Sequence, residues 1–410
     1  MLLTFVMASS LPGATPPPAA ATAAATATSL LDEALLTRIR DRAANYDDRN
    51  AFFTEDLEEL RDAGYLAMMV PVELGGAGTA LASAVREQAR LATAAPATAL
   101  AVNMHILWTA VAALLRARGD ASLEWVLRDA AAGEVFAFGI SEPGNDEVLA
   151  DSFTRAERQD DGGYRFFGTK IFGSLAPAWT RLGVFGRDDG DPDAPVLVHG
   201  FLSRDTGGYR IVEDWDTLGM RATQSHTTVL EGARVAPERV SRVLPVGPGG
   251  DPFSFAIFAA FELLVSSVYT GIGARAVQLA TESALSRTSA RLGGRSLAED
   301  PDVRSALAEA AIAQDGQLPP LLELARDVDA GVDHGRAWFP RLVGAKVRAT
   351  RTARTVVDAS MGIAGGGSYR SVSELARLYR DVAAGQFHPS SERAARRTVA
   401  NALLGPLPDA

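Results

Sequence analysis

A single charged side chain interrupts the most apolar stretch of the chain. Residues 252–274 read PFSFAIFAAFELLVSSVYTGIGA, in which Glu262 is the one acidic residue and no basic residue occurs. A carboxylate that stays ionised and unpaired in an apolar interior is very costly, so a buried one is usually paired or protonated. The stretch therefore allows three hypotheses: a membrane span, a core helix with a paired carboxylate, or an acid/base group in a buried site.

A second group of residues that could handle protons lies near the end of the chain, in GQFHPSSE (385–392). The imidazole of His388 can donate or accept a hydrogen bond when it is neutral; the alternative is a surface or helix-capping histidine. Glu392 is a second candidate carboxylate, but SSERAARR also resembles the start of an amphipathic helix, where an acidic side chain is favoured in the first turn. The other histidines show no metal-ligand spacing, so we predict no metal site.

Composition excludes several classes of protein. The net charge of −10 argues against nucleic acid or an anionic membrane as a partner. Cysteine is absent, which excludes disulfides, thiol nucleophiles and iron–sulfur clusters and is consistent with a cytoplasmic location. A membrane span is disfavoured because an acidic group near the middle of one costs roughly 2.5–3.5 kcal/mol.

The periodicity of apolar residues predicts an α+β fold that is mostly helical. Residues 1–28 are Pro/Ala/Thr-rich and predict a disordered tail. Residues 29–135 have helical periodicity, and residues 136–245 contain short β-branched and aromatic runs that predict an antiparallel β-barrel or sandwich. Residues 246–410 return to helical periodicity over 253–291, 300–328, 335–360, 371–385 and 390–404, which predicts a C-terminal four-helix bundle.

Five segments in this order resemble the acyl-CoA dehydrogenase superfamily, over about residues 30–405. They are LRDAGYLAMMVPVELGGAG, FGISEPGND, DGGYRFFGTKIFGSLAPAWT, DTLGMRATQSHTTVLEGARVAPERV and MGIAGGGSYRSVSELARLYRD. The second motif usually closes with Gly-Ser-Asp. Here the end of the motif is shorter and reads Gly-Asn-Asp. The resemblance implies a flavoenzyme with FAD between the β-domain and the C-terminal bundle, in a homotetramer or homodimer.

The resemblance also implies which residues bind the cofactor. Ile140 and Ser141 would lie along the flavin ring, with Phe172 and Ser174 at its other face. The remaining positions implied for the dinucleotide are Arg287, Gly365, Gly366 and Ser391, with Arg287 often reaching from a neighbouring subunit. These residue types suit the task, because an arginine fork fits a diphosphate and glycine admits a ligand close to the main chain.

The catalytic glutamate of the family's dehydrogenases is missing from both of its usual positions. The common position falls on Pro389 and the alternative position on Phe261. Glu262 is one residue from the alternative position, which is about 100° of helix rotation. Burial would raise its pKa toward the range of a general base, and the alternative is a structural carboxylate paired inside the bundle.

Three functions remain open. The first is α,β-dehydrogenation of an acyl-CoA or other acyl thioester, with hydride transfer to the flavin and an electron-transfer partner. The second is a flavin monooxygenase of the same fold, with FMN possible, in which a reductase supplies reduced flavin and His388 lies near the site of O2 activation. The third is a helical scaffold that has lost its flavin.

Overall fold

The chain forms a helical region, a β-sheet and a second helical region, in that order. The computed structural model describes residues 29–146, 149–247 and 249–405. The predicted order of helices, strands and helices is confirmed. The predicted tail, residues 1–28, lies outside the described residues, and the exact domain boundaries stay predictions.

The first region contains the helices α1 (Glu33–Asp48), α2 (Thr54–Asp62), α3 (Leu81–Ala94), α4 (Pro96–Ala117) and α5 (Glu124–Ala131). The α1 helix begins where the Asp32 carboxylate accepts a hydrogen bond from the Leu35 N–H at 2.7 Å. The α4 helix begins at Pro96, a position where the missing N–H costs no helical hydrogen bond.

The strands are β1 (Phe136–Gly139), β2 (Arg155–Arg158), β3 (Tyr164–Gly173), β4 (Arg181–Asp188), β5 (Val196–Ser203), β6 (Tyr209–Val212), β7 (His226–Val235) and β8 (Val240–Pro245). They form one sheet in the order β6-β7-β3-β2-β4-β5-β8, with β1 beside β4.

This sheet differs from the predicted antiparallel barrel. Its end strands, β6 and β8, do not pair with each other, so the sheet is open. Two of its pairings, β1 with β4 and β2 with β4, are parallel. The strand pairing was mispredicted because turn residues in the sequence indicate hairpins. The pairing partner of a strand is determined by long-range packing, which the turn residues do not report. The Arg-Ala-Glu-Arg sequence of β2 also carries too little β-propensity to be noticed.

The second helical region contains α6 (Pro252–Ser286), α7 (Pro301–Asp315), α8 (Leu318–Asp329), α9 (Trp338–Ala364), α10 (Glu374–Val382) and α11 (Glu392–Leu404). The stretch predicted as one helix over 300–328 is divided between α7 and α8 near Gly316. Prolines in the first turn of α8 explain the break, since proline cannot donate the hydrogen bond that would continue α7.

Within the described residues, two helices, α4 and α6, are long and apolar enough to cross a membrane by length and composition. Their apolar windows are 94% and 83% buried inside the fold. The α6 helix packs on α3, α4 and α9. Both are therefore core helices of this fold, and Glu262 lies in the interior with 1% exposure.

Trp108 of α4 joins the three regions at the centre of the core. Its indole N–H donates to the Ala137 carbonyl of β1 at 3.0 Å. Its ring meets Phe201 of β5 and Phe253 of α6 with centroids 4.6 and 6.3 Å apart. Aromatic side chains of this size dominate core stability, so the relative positions of α4, α6 and the sheet depend on this contact.

The connection between β6 and β7 is tied to α10 by main-chain contact. The buried Asp381 carboxylate accepts a hydrogen bond from the Met220 N–H at 2.6 Å, and Arg380 forms an ion pair with Asp47 of α1. Gly219 packs directly on the main chain of Arg380. The Leu-Gly-Met-Arg and Arg-Asp motifs of the sequence therefore meet in space and hold three regions together.

Replacing Gly219 with alanine should destabilise the protein. A Cβ there would overlap main-chain atoms of Arg380 and Asp381, so one segment must move, at a cost of about 1–3 kcal/mol. Urea unfolding followed by circular dichroism measures this change. Gly362→Ala in α9 is the matched control, because a Cβ there meets no atom within 4 Å and should stabilise by up to about 1 kcal/mol. Similar effects of the two substitutions would contradict the close contact.

Candidate active site

The sheet and the C-terminal helices meet at the carboxyl ends of β1 and β3. The rings of Phe138 on β1 and Phe261 on α6 stack with centroids 5.9 Å apart. Arg393 in the first turn of α11 lies 3.6 Å from Asp146, which follows β1. We call the zone between these strand ends and residues 385–391 the junction.

Two of the four residues predicted to line the flavin ring, Ser141 and Phe172, are partly or well exposed at these strand ends. The Ser141 carbonyl accepts a hydrogen bond from the Ile171 N–H at 2.9 Å, which joins the two strand ends. Ser141 is half-buried, and the Phe172 side chain is 56% exposed in a left-handed conformation with φ of 57°. Ser174 is 7% exposed. The Ile140 side chain instead packs inward on Phe185, so only its main chain is available.

The Ser174 hydroxyl belongs to a chain of hydroxyl groups. Its Oγ lies 2.8 Å from Ser225 Oγ, which lies 2.7 Å from Thr223 Oγ1. Thr223 donates to the Met220 carbonyl at 2.8 Å, which fixes the direction at that end. The chain ties the end of β3 to the β6–β7 connection.

A buried ion pair fastens the loop after β1 to β3. Lys170 Nζ donates to Glu142 Oε1 at 2.7 Å and to the Phe185 carbonyl at 2.8 Å. Glu142 also accepts from the Ser152 hydroxyl and the Thr154 N–H. Burial favours the neutral acid, but the Lys170 ammonium and these hydrogen bonds lower the pKa of Glu142 to about 2. The glutamate of SEP and the lysine of GTK, two motif residues, therefore form one structural contact.

Glu262 is a hydrogen-bond acceptor for the segment that contains His388. Its Oε1 accepts from the Ser390 N–H at 3.1 Å and from the Ser390 hydroxyl at 2.9 Å. Its Oε2 has no partner among the described residues. Burial raises the pKa of Glu262, opposed by the Lys346 ammonium and the Ser390 hydrogen bonds. The carboxylate faces this segment while Phe261 faces the sheet, which matches the hypothesis of a paired core carboxylate.

Lys346 of α9 holds the same segment from another side. Its ammonium donates to the carbonyls of Gly385, His388 and Ser390 at 2.9, 3.1 and 3.0 Å. The side chain is 1% exposed. Burial lowers the pKa of Lys346 to about 8, against the attraction of Glu262. Three carbonyls on one ammonium fix the main chain on both sides of the histidine.

His388 is half-buried and bonded to α6. Its Nε2 lies 2.7 Å from the hydroxyl of Tyr269, a fully buried residue. Burial, with a smaller contribution from Lys346, lowers the pKa of His388 to about 3. The imidazole is therefore neutral around pH 7, with one ring nitrogen as a hydrogen-bond donor and the other as an acceptor.

The candidates Ser391 and Glu392 are engaged at the start of α11. Ser391 Oγ accepts from the Ala394 N–H at 3.3 Å as the helix cap. Glu392 forms ion pairs with Arg351 and Arg396, each at 2.9 Å, and the Arg351 hydrogen bond lowers its pKa. Glu392 therefore has the helix-start role that its sequence context also indicated.

Arg287, Gly365 and Gly366 are neighbours, but they lie far from the junction in the same chain. Arg287 donates to the Ala364 carbonyl, and a Cβ at Gly365 would come within 2.9 Å of the Arg287 guanidinium. Gly365 has φ of 70°, which glycine adopts without strain. Arg287 follows Glu262 by 25 positions along a helix that ends at Ser286, which corresponds to about 37 Å.

A polar cleft of about 540 Å³ opens beside the end of β3. Its lining includes Asn50, Arg204, Trp215, Gln224 and His226. Trp215 also meets the exposed Phe172 ring edge-on, with centroids 6.2 Å apart. The volume is within the usual range for a small-molecule site.

Both helical regions of the chain match one known family in sequence. Residues 26–134 match the acyl-CoA dehydrogenase N-terminal domain, and residues 263–393 match the acyl-CoA dehydrogenase C-terminal domain. The amino sugar nitrososynthase DnmZ of Streptomyces peucetius is 31% identical over 354 residues, which cover 83% of this chain and 84% of DnmZ. This chain belongs to the acyl-CoA dehydrogenase superfamily.

Superfamily relatives with other names are also similar. The putative acyl-CoA dehydrogenase YdbM of Bacillus subtilis (strain 168) is 27% identical, covering 86% of this chain and 90% of YdbM. A dibenzothiophene monooxygenase of Mycolicibacterium goodii is 28% identical, and the match covers 82% of this chain and 83% of that enzyme. The structure of KijD3 with FMN and dTDP-3-amino-2,3,6-trideoxy-4-keto-3-methyl-D-glucose superposes with a TM-score of 0.79 at 27% identity, covering 92% of each chain. The predicted flavin-dependent oxidoreductase is thereby confirmed, but its reaction is not yet specified.

Tyr269, Lys346 and the Glu142–Lys170 pair were not among the functional residues predicted from the sequence. One signal for the lysines was available. Lys170 and Lys346 are the only lysines of the chain, and the other 38 of its 40 basic residues are arginines. A compact ammonium with three donors fits a buried cluster of oxygen atoms better than a planar guanidinium. Tyr269 gave no such signal, because a tyrosine in an apolar helix is most simply a core residue.

Removing the charge of Glu142 should be much more costly than removing an exposed one. In Glu142→Gln the buried Lys170 ammonium loses its carboxylate, and we expect a loss of about 3 kcal/mol in unfolding free energy. Urea unfolding at pH 7 measures it. Glu231→Gln is the matched control on the same sheet, because its ion pair with Arg210 is 57–58% exposed and should contribute less than about 1 kcal/mol. A small loss for Glu142→Gln would show that the buried pair is dispensable.

Substitution of Lys346 and of Glu262, which both bond to residues 385–391, should lower the free energy of unfolding by different amounts. Lys346→Met leaves three carbonyls without their donor, for an expected loss of about 3 kcal/mol at roughly 1 kcal/mol per hydrogen bond. Glu262→Gln keeps an acceptor for Ser390 and should cost less than about 1 kcal/mol. Hydrogen–deuterium exchange should rise at 385–391 in Lys346→Met alone. Comparable losses in both variants would mean that the Glu262 charge itself is required.

Proposed function

We propose that the protein is a flavin-dependent monooxygenase that transfers one oxygen atom of O2 to a nitrogen or sulfur atom of a small molecule. One observation carries this choice over dehydrogenation. The two glutamate positions of the family's dehydrogenases hold Phe261 and Pro389, and the nearest carboxylate, Glu262, accepts two hydrogen bonds from Ser390. Removal of an α-proton needs a base that faces the substrate, and the helix face toward the sheet presents a phenyl ring instead.

His388 supplies the group that oxygen transfer needs. Monooxygenation places one oxygen atom in the product and the other in water, and so consumes two electrons and two protons. A neutral imidazole in a segment fixed by Lys346 can hold an N–H at a defined position and donate it in a hydrogen bond to developing negative charge. The nitrososynthase and monooxygenase names of the relatives support the same class of reaction.

The residues at the junction fit a flavin ring. The Phe172 side chain is exposed, Ser141 is half-buried, and Ser174 lies at the adjacent strand end with its hydroxyl bonded to Ser225. Ser141, Phe172 and Ser174 would hold the ring, and Arg287 with Gly365 and Gly366 of a neighbouring copy would bind phosphate. Reduced flavin held there, supplied by a separate reductase, would provide the electrons that activate O2. FMN is the preferred candidate because KijD3 binds it.

The reaction can be tested with two probe substrates. The purified protein, supplied with FMN, NADH, a flavin reductase and 18O2, should oxidise either the dTDP-3-amino sugar bound by KijD3 or dibenzothiophene, with 18O in the product. Anaerobic bleaching of protein-bound flavin by butyryl-CoA, without oxygen transfer to either probe, would overturn the proposal in favour of dehydrogenation.

Substitution of His388 tests its role in the same assay. His388→Ala should lower product formation by about 10²-fold, the usual scale of a lost acid/base group. Glu392→Gln should leave it within about twofold, because that carboxylate is committed to surface ion pairs. A large loss in Glu392→Gln with an active His388→Ala would reverse the assignment.

A further inference from the structure

The hydrogen bond between Tyr269 and His388 has a direction that the surroundings determine. Burial raises the pKa of Tyr269 well above its usual value, so the hydroxyl keeps its proton. The side chain is fully buried, and His388 Nε2 is the hydrogen-bond partner of its oxygen among the described residues. If the hydroxyl accepted a proton from Nε2, its own hydrogen would have no acceptor, at a cost of about 1–3 kcal/mol. The hydroxyl therefore donates to Nε2.

The direction of this bond decides the form of the imidazole. A neutral histidine carries one proton, and a nitrogen that accepts a hydrogen bond cannot carry it. We propose that Tyr269 is a positioning residue that holds His388 in the Nδ1–H tautomer, so that the free ring nitrogen is an N–H donor. Nδ1 has no hydrogen-bond partner in the part of the chain that the structure describes, and the half-buried ring leaves it available to a ligand.

Three other histidines provide an internal comparison. His105 Nδ1 accepts from the Phe136 N–H, and its Nε2 meets the Leu66 carbonyl. His226 Nδ1 accepts from the Trp215 N–H, and its Nε2 meets the Gln224 side-chain oxygen. His334 Nδ1 lies 3.1 Å from the Arg341 guanidinium, which can only donate, and its Nε2 meets the Asp327 carboxylate. All three bonding patterns require the opposite tautomer, Nε2–H.

The consequence for the reaction rests on the proposed function. An Nδ1–H donor next to bound flavin and O2 would stabilise developing negative charge through a hydrogen bond, whereas a lone pair at that position could only accept one. The main chain around His388 is fixed by Lys346, so the donor is held in place. Tyr269 thus acts through His388 and need not touch the substrate.

The tautomer can be measured without any turnover. In protein labelled with 15N-histidine, the nitrogen that carries hydrogen shows a one-bond 15N–1H coupling. We expect the signals that vanish in either His388→Asn or His388→Gln to show this coupling at Nδ1. His105, His226 and His334 should show it at Nε2. An Nε2–H signal for His388 would overturn the proposal.

The role of Tyr269 is tested by Tyr269→Phe, which keeps the ring and removes the donor. The His388 spectrum should change from pure Nδ1–H to a mixture of tautomers or to Nε2–H. An unchanged spectrum would show that Tyr269 does not set the tautomer. The measurement on the unsubstituted protein tests the tautomer itself even if this variant fails to fold.

Oxygen transfer gives a second readout. The amide of His388→Asn can place an N–H near the Nδ1 position, whereas that of His388→Gln reaches toward Nε2. We expect product formation to fall about tenfold in His388→Asn and about 10²-fold in His388→Gln. Equal or reversed losses would overturn the donor role. A wild-type protein that forms no oxygenated product would instead contradict the proposed function and leave the measured tautomer in place.

Discussion

A buried ammonium group needs oxygen atoms around it, and both walls of the junction are built on this constraint. Lys170 and Lys346 are each 1% exposed. Removing an ammonium from water costs several kcal/mol unless hydrogen-bond acceptors replace the lost hydration. Lys170 draws the loop after β1 onto β3 through Glu142, and Lys346 draws three carbonyls of residues 385–391 onto α9. The main-chain positions of the loop after β1 and of residues 385–391, on the two sides of the junction, therefore depend on hydrogen bonds to these two ammonium groups.

The helix face explains why Glu262 and Phe261 cannot exchange roles. Adjacent helical residues point about 100° apart. Phe261 meets Phe138 of the sheet, so Glu262 points to Ser390 instead. A one-residue difference in sequence therefore converts a possible base at the junction into a support for the segment that carries His388. This orientation explains the role of Glu262, the one charged residue in the apolar residues 252–274 of α6.

The sequence predicted the parts of the fold that local pattern controls. The helices and most strands follow from periodicity, and the resemblance placed Ser141, Phe172 and Ser174 on strand ends that the structure brings together. The prediction that the sheet closes into a barrel was wrong, because the pairing partners of strands are set by long-range contacts. The parallel pairing of β1 with β4 is an example. The Tyr269–His388 bond spans 119 positions, and neither residue has a local pattern that points to the other. Contacts of this kind become visible only when the helices are packed.

The length of α6 connects the junction to assembly. Arg287 lies about 37 Å from Glu262 along the helix axis, a distance much greater than the length of a flavin mononucleotide. Arg287 therefore cannot reach the phosphate of a flavin that lies at the Glu262 end of α6 in the same chain. The turn beside it also exposes Tyr369 and Val372, at 86% and 83%. Packing of this turn against the junction of a second copy would cover both apolar side chains and bring Arg287 to a phosphate, whereas a monomer would leave the side chains in water and the arginine bonded to the Ala364 carbonyl.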